Sequence, residues 1–259
     1  MNDPRPDTTD ERSQAAFRRE VLLFEEWHKQ LERDGEAQAI PAATVVVLRD
    51  GPGGLESLML RKNSRLAFGG MWVFPGGRID DADYDGTGNL IAAARNAAAR
   101  EAGEEAAIVL DPTALVHFSY WIPPPIAPKR FATWFFAAEA PSTEVSIDDG
   151  EIVRHEWMTP PEALLRRDAG EIELIAPTWV TLHTIGRFST VAGALEGLGR
   201  RRSRRYETRI GRGEHGPVSL WCGDAGYETA DPSAPGPRHR LEITPRGYLF
   251  DESGYSEED

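Results

Sequence analysis

One cysteine, Cys222, in 259 residues rules out an intramolecular disulfide and leaves too few thiols for a cysteine-based zinc site. The six histidines are scattered, with no pair at metal-ligand spacing and no Ser-His-Asp signal around them. No apolar run reaches the roughly 18 residues of a membrane-spanning helix. The opening MNDPRPDTTDERSQ is polar and acidic, unlike a signal peptide, so the expected location is the cytoplasm and no membrane is expected as a partner. Positive charge is also short: 29 Lys and Arg stand against 42 Asp and Glu, a net charge of −13. That balance argues against nucleic acid as a partner, because phosphate recognition needs a positive footprint.

What is present is 40% hydrophobic residues, enough to build a proper core, and one segment that organises the chain, Trp72 to Ile108. From Leu90 to Ala107 it is dense in alanine and free of proline, with Asn89 placed to cap, which predicts a helix. On that helix Glu101 lies three residues from Glu104 and four from Glu105, so the three carboxylates share a stripe with Arg100 at its edge. Upstream, the apolar run Met71-Trp72-Val73 enters Phe74-Pro75-Gly76-Gly77, a strand ending in a glycine turn aimed at the carboxylate helix.

This combination resembles the Nudix hydrolase family. Arg100-Glu101-Ala102-Gly103-Glu104-Glu105-Ala106-Ala107-Ile108 matches the family's signature helix except at Ala107, where the family has glycine. Gly77 and Arg100 are separated by roughly nine more residues than in the family, an insertion at about residues 81–89. The family's first glutamate falls on Asp83 when counted forward from the glycine and on Ala92 when counted back from Arg100, so that ligand is expected to be absent. The insertion, with KRFATWFFAAEAP and GEIVRHEWMTPPEAL downstream, looks like the coenzyme A diphosphatase-like branch. That branch carries two arginines ahead of a glycine and FPGG, approximated here by Arg61, Arg65 and Gly70. The resemblance spans about Pro41 to Leu182.

The rest of the chain is expected to frame this segment. Arg12 to Arg33 places Phe17, Val21, Phe24 and Leu31 near helical spacing, an amphipathic helix that packs on the domain's flank or, alternatively, forms a homodimer contact. Strands are expected at Ala42–Leu48 and Leu55–Arg61 as a hairpin, then at Ala114–Trp121, Arg130–Glu139 and Ile152–Met158. Helices are expected at Pro160–Arg167 and Pro177–Phe188, with a final hairpin at Arg238–Ile243 and Gly247–Phe250. The first eleven residues and the tail SGYSEED read as disordered. Trp121, Phe131, Trp134, Phe135 and Phe136 read as core, the proline loop at 123–128 as the border of a pocket, and Arg200–Arg205 as a solvated run pairing with acidic surface.

Taken together these point to an α/β fold, a Nudix-type α/β/α sandwich with a mixed sheet. Its parts are a tail and helix over 1–35, the hydrolase domain over 36–190, and a C-terminal extension with a hairpin over 191–259, packed on the same domain. The resemblance implies Mg²⁺ or Mn²⁺ held by Glu101, Glu104 and Glu105, with Glu104 adding a ligand or orienting the attacking water. Arg100 would orient a glutamate, and Glu151 is a candidate general base. Arg61, Arg65, Gly76, Gly77 and Arg78 are candidates for binding substrate phosphates. The implied reaction is cleavage of a small-molecule nucleotide, coenzyme A or its acyl derivatives, at the diphosphate. Hydrolysis of ADP-ribose, NADH or a nucleotide sugar, and a non-catalytic nucleotide sensor, stay open as alternatives.

Overall fold

The computed structural model describes residues 11–64, 69–86, 88–141, 144–147 and 150–256. The readings that concern Arg65, Leu66, Asp148 and Asp149, the first ten residues and the last three lie outside that set. The chain begins with α1 (Glu11–Asp34), β1 (Ala39–Gly51), β2 (Gly54–Lys62), β3 (Trp72–Val73), β4 (Gly76–Arg78) and α2 (Leu90–Ala106). It continues through β5 (Val116–Ile122), β6 (Arg130–Glu139), β7 (Ile152–Met158), α3 (Pro160–Asp168), α4 (Ala176–Ile185) and α5 (Val191–Gly199). Short strands close it: β8 (Arg204–Glu207), β9 (Arg209–Arg212), β10 (Pro217–Leu220), β11 (Arg240–Thr244) and β12 (Gly247–Asp251).

The main sheet is mixed, in the order β3-β2-β1-β6-β5-β8, with β4 added to β1 and β7 to β2. β1 is buried from Ala42 to Leu48 because both its faces are covered, which is why it reads as an unbroken apolar run. Val45 and Val47 point to one cluster with the alanines of α2, while Val46 and Leu48 point to the other, shared with α4 and α5. The sheet is thus sandwiched between helices, the expected fold class. Along α2, Ala94, Ala97, Ala98, Ala102 and Ala106 are all fully buried. Methyl side chains let this helix lie close on the sheet, which decides how near its carboxylates come to the glycine turn.

Asn89 caps α2 as expected, its side chain accepting from the amides of Ile91 and Ala92. The other end is less comfortable. Ala107 is forced into the left-handed region at φ 55°, where the resembled signature has glycine, so that the Ile108 amide can reach back to the Ala102 carbonyl at 3.1 Å.

The C-terminal part departs most from the sequence reading. The basic run is not only solvated: Arg204 and Arg205 open β8, which runs parallel to β5, and Arg204 pairs with Glu252 at 2.7 Å. Beyond it β9 to β12 form a second, antiparallel sheet in which the expected hairpin is only the outer half. Trp121 joins the two sheets, stacked on Tyr206 at 3.9 Å and edge-on to Trp221 at 5.5 Å. Part of the tail is ordered, with Tyr255 stacked on His239 at 4.1 Å. Of the five expected core aromatics, Trp121, Phe135 and Phe136 are buried; Phe131 and Trp134 are half-buried, and Trp134 packs on Tyr120 at 4.2 Å.

α1 packs Phe17 and Phe24 against the core cluster that includes Leu241, Ile243 and Tyr248. A polar clasp fixes it there: Arg167 donates to Glu20 at 2.7 Å and lies 3.4 Å from the Tyr248 ring, while the Tyr248 hydroxyl donates to Glu20. Burial pushes the Glu20 carboxyl above its ordinary range, opposed by Arg167.

Two stability outcomes follow from these observations. Ala107→Gly relieves the left-handed cap and raises the unfolding free energy by about 1 kcal/mol in urea titrations, net of the freedom that glycine adds to the unfolded chain. Arg167→Met strands the half-buried Glu20 carboxylate and lowers it by about 2 kcal/mol, with the loss shrinking in the Glu20→Gln background.

Candidate active site

The site is built where α2 passes beneath the turn between β3 and β4. Gly76 and Gly77 sit in β4 opposite Thr44 and Ala43 of β1. A Cβ on Gly76 would fall 2.6 Å from the Ala43 carbonyl oxygen, and one on Gly77 would collide with the Glu101 carboxylate. Gly76 is therefore required by the close approach of the β1 backbone, while a side chain at Gly77 would push the Glu101 carboxylate out of its place.

Each carboxylate of the stripe has a different environment. Glu105 is buried, with one oxygen accepting from the Gly76 amide at 2.9 Å and the other accepting no hydrogen bond, 3.5 Å from the Lys62 ammonium. Burial pushes its carboxyl up to about 7, against the opposing pull of Lys62 and the Gly76 amide. Glu101 is raised by burial as well, with Arg100 working against the shift, and its side chain is only 15% exposed. Glu104 is 60% exposed and stands at the rim.

Arg100 ties the group together. It donates through Nε and one terminal nitrogen to the two oxygens of Asp83, each at 3.0 Å, and through the other to Glu101 and Glu104, each at 2.9 Å. It also donates to the Arg78 carbonyl at 3.0 Å, which fastens β4 to α2. Its guanidinium is held above its ordinary range, first by the hydrogen bond to Asp83. This Asp83 stands at the forward-counted position, buried in a one-turn 3-10 helix over Asp81–Asp83. The forward count from Gly77 thus places a carboxylate against Arg100, where the backward count gives Ala92. Two spacings competed in the sequence, and only the fold decides between them.

Lys62 is the residue that sequence reasoning passed over in favour of its neighbours. It stands on the face of β2 that carries Leu58 and Leu60, and its ammonium bridges Glu105 and Glu151, the latter at 2.6 Å. Burial pulls this amine down, but Glu105 and Glu151 more than offset that, leaving it above its ordinary range. Arg61, on the alternate face, is exposed and donates to the Gly70 carbonyl at 3.4 Å. A single cavity of about 820 Å³ has Gly76, Gly77, Arg78, Glu101, Lys62 and Glu151 on its walls; Glu104, Glu105 and Arg61 are not among its lining residues. Pro123 and Pro124 do border it, as their loop was expected to.

Among the described residues no three acidic, histidine or cysteine groups converge into a ready-made metal cage, and Arg100 and Lys62 are paired with Glu101 and Glu105. The donor set nevertheless fits a hard divalent cation: oxygen ligands only, and a buried Glu105 oxygen that accepts no hydrogen bond.

The glycine turn, the Arg100-centred carboxylate helix and the mixed sheet define a pyrophosphohydrolase of the Nudix type. The NUDIX domain family model matches residues 39–177, more than half the chain, and the chain belongs to that family, whose hydrolases generally use divalent metal ions. The fold is similar to a NUDIX hydrolase from Alicyclobacillus acidocaldarius, with 22% identity and a TM-score of 0.58 over 64% of this chain and 99% of that one. Weaker similarity extends to the NUDIX domain of Shewanella oneidensis NrtR complexed with ADP ribose, at 14% identity and TM-score 0.44, covering 61% and 94% of the two chains. A C. elegans Ap4A hydrolase binary complex gives 23% identity and a TM-score of 0.40 over 57% and 96% of the two chains. No curated protein matches the chain. No helix among the described residues is long and apolar enough to cross a membrane.

Asp83→Ala isolates the contribution of its contact with Arg100 to the site. It removes a bidentate partner of Arg100, lowers stability by about 1–3 kcal/mol in urea titrations, and frees Arg100 to compete for Glu101. Unchanged stability would show that Arg100 is held by its other contacts alone.

Proposed function

We propose that the chain hydrolyses the diphosphate bond of a nucleoside diphosphate joined to another moiety, with coenzyme A or an acyl-coenzyme A as substrate. The observation that supports this is the meeting, on one cavity wall, of the Gly76-Gly77 turn, Glu101, Lys62, Arg78 and Glu151. A diphosphate resists attack because its oxygens repel the nucleophile, and a site must offset that charge and position a water. In this reading Lys62 and Arg78 attract the anionic bridge, and Arg100 holds Glu101 and Glu104 in place. Glu101 and Glu105, with Glu104 at the rim, hold Mg²⁺ or Mn²⁺, which when bound supplies charge neutralisation at the diphosphate.

Glu151, ion-paired to Lys62 at 2.6 Å, accepts the proton of the attacking water. The water oxygen bonds to phosphorus, the bridging phosphorus–oxygen bond breaks, and 3′,5′-ADP leaves from (acyl-)phosphopantetheine. Residues 36–190 carry this chemistry, while 1–35 and 191–259 supply further cavity walls. ADP-ribose, NADH and nucleotide sugars share the bond and differ in what the cavity must hold around it.

The test is product analysis over a panel of coenzyme A, acyl-coenzyme A, ADP-ribose, NADH and a nucleotide sugar with Mg²⁺ and Mn²⁺. The expected outcome is 3′,5′-ADP from the coenzyme A substrates, with kcat lowered at least about 100-fold in Glu101→Gln and by less in the rim variant Glu104→Gln. Turnover confined to ADP-ribose or NADH would overturn the coenzyme A assignment. Equal rates in wild type and Glu104→Gln would remove Glu104 from the chemistry.

A further inference from the structure

The cavity is larger and more apolar than the chemistry requires. At about 820 Å³ it lies in the upper part of the roughly 300–1,000 Å³ range of small-molecule pockets. Away from the glycine turn, part of its wall comes from segments outside the matched domain: Leu23, Phe24 and Trp27 of α1, Ile210 of β9, and Leu241 and Ile243 of β11. Three of the polar side chains there already have partners. Tyr248 donates to Glu20, Glu20 accepts from Arg167, and the Thr208 hydroxyl accepts from the Trp221 indole at 3.0 Å. A nucleobase placed against these six side chains would lose the hydrogen bonds of its edges to water and regain few. An aliphatic chain loses nothing there, and gains from every methylene it buries.

We propose that α1 and the C-terminal sheet form a chain-binding annex to the active site, one that takes the aliphatic tail of an amphiphilic diphosphate substrate. The proposal rests on the hydrolase reading for the position of the diphosphate, at Gly76, Gly77 and Glu101, and adds what the other end of the substrate must be. It also explains why α1 is clasped so firmly: a wall that floats cannot exclude water from a hydrocarbon chain. The nucleotide then lies toward the polar mouth, and the acyl group or its equivalent lies against Trp27, Ile210 and Ile243.

The full-length protein is tested with acetyl-, octanoyl- and palmitoyl-coenzyme A, and separately with cis-parinaric acid as a fluorescent chain probe that needs no hydrolysis. Relative kcat/KM rises at least about tenfold from the acetyl to the octanoyl substrate, as burial of several methylenes requires. Parinarate binds saturably and is displaced by palmitoyl-coenzyme A, not by ADP-ribose. Ile210→Trp, which fills the annex, and Leu23→Arg, which charges it, each reduce the octanoyl-to-acetyl ratio and weaken parinarate binding, with circular dichroism confirming that they fold. If either variant fails to fold, parinarate binding by the wild type decides the matter. Coenzyme A substrates cleaved without chain dependence, and no parinarate binding, would overturn the annex while leaving the diphosphatase reading intact. Saturable parinarate binding with no diphosphate cleaved in any coenzyme A substrate would instead overturn that reading and support the annex. Failure of both assays would overturn both.

Discussion

The contact on which the rest of the structure depends is that between the alanine stripe of α2 and β1. Five fully buried alanines bring the helix down onto Val45 and Val47, so Glu101 and Glu105 reach the backbone of the Gly76-Gly77 turn. Larger residues would lift the helix and, with it, the carboxylates. The glycines mirror this constraint from the other side, since a methyl group on Gly77 would occupy the space of the Glu101 carboxylate. Packing and chemistry are therefore specified by the same few residues.

Bringing acidic groups together under a sheet has an electrostatic consequence, and the chain meets it with two cations. Arg100 spans Asp83, Glu101 and Glu104, and Lys62 spans Glu105 and Glu151. Glu105 is still pushed up to about 7 by burial, so its charged form is held at a disadvantage that a divalent cation would remove. The same reasoning separates the roles along the stripe: Glu101 and Glu105 are recessed, Glu104 is exposed, and only Glu101 shares a wall with the main cavity.

The central element was legible in the sequence because it depends on local rules. Alanine content and Asn89 define α2, the three- and four-residue spacings put its glutamates on one stripe, and a strand running into Gly76-Gly77 marks the turn. Lys62 was not legible as a site residue, since the sequence pattern drew attention to Arg61 and Arg65 and nothing local says which side chain shares the face of β2 with Leu58 and Leu60. Asp83 was ambiguous because an insertion leaves two counting frames. The C-terminal sheet escaped for a different reason: strands of four residues, such as β9 and β10, are too short to show alternation and lie in glycine- and proline-rich sequence. α5, with the sequence VAGALEGLG, carries three glycines and so presents a weak helical signal. The apolar annex depends on these segments meeting α1, a long-range arrangement that no local pattern announces.

The central claim is that the recessed carboxylates of α2 bind a divalent cation beside the glycine turn. The most direct measurement is a Mn²⁺ titration followed by electron paramagnetic resonance on the wild type and on the Glu101→Gln/Glu105→Gln double variant, with folding checked by circular dichroism. The account predicts saturable Mn²⁺ binding to the wild type and affinity at least about tenfold weaker in the variant. Equal Mn²⁺ affinity in two folded proteins would contradict it.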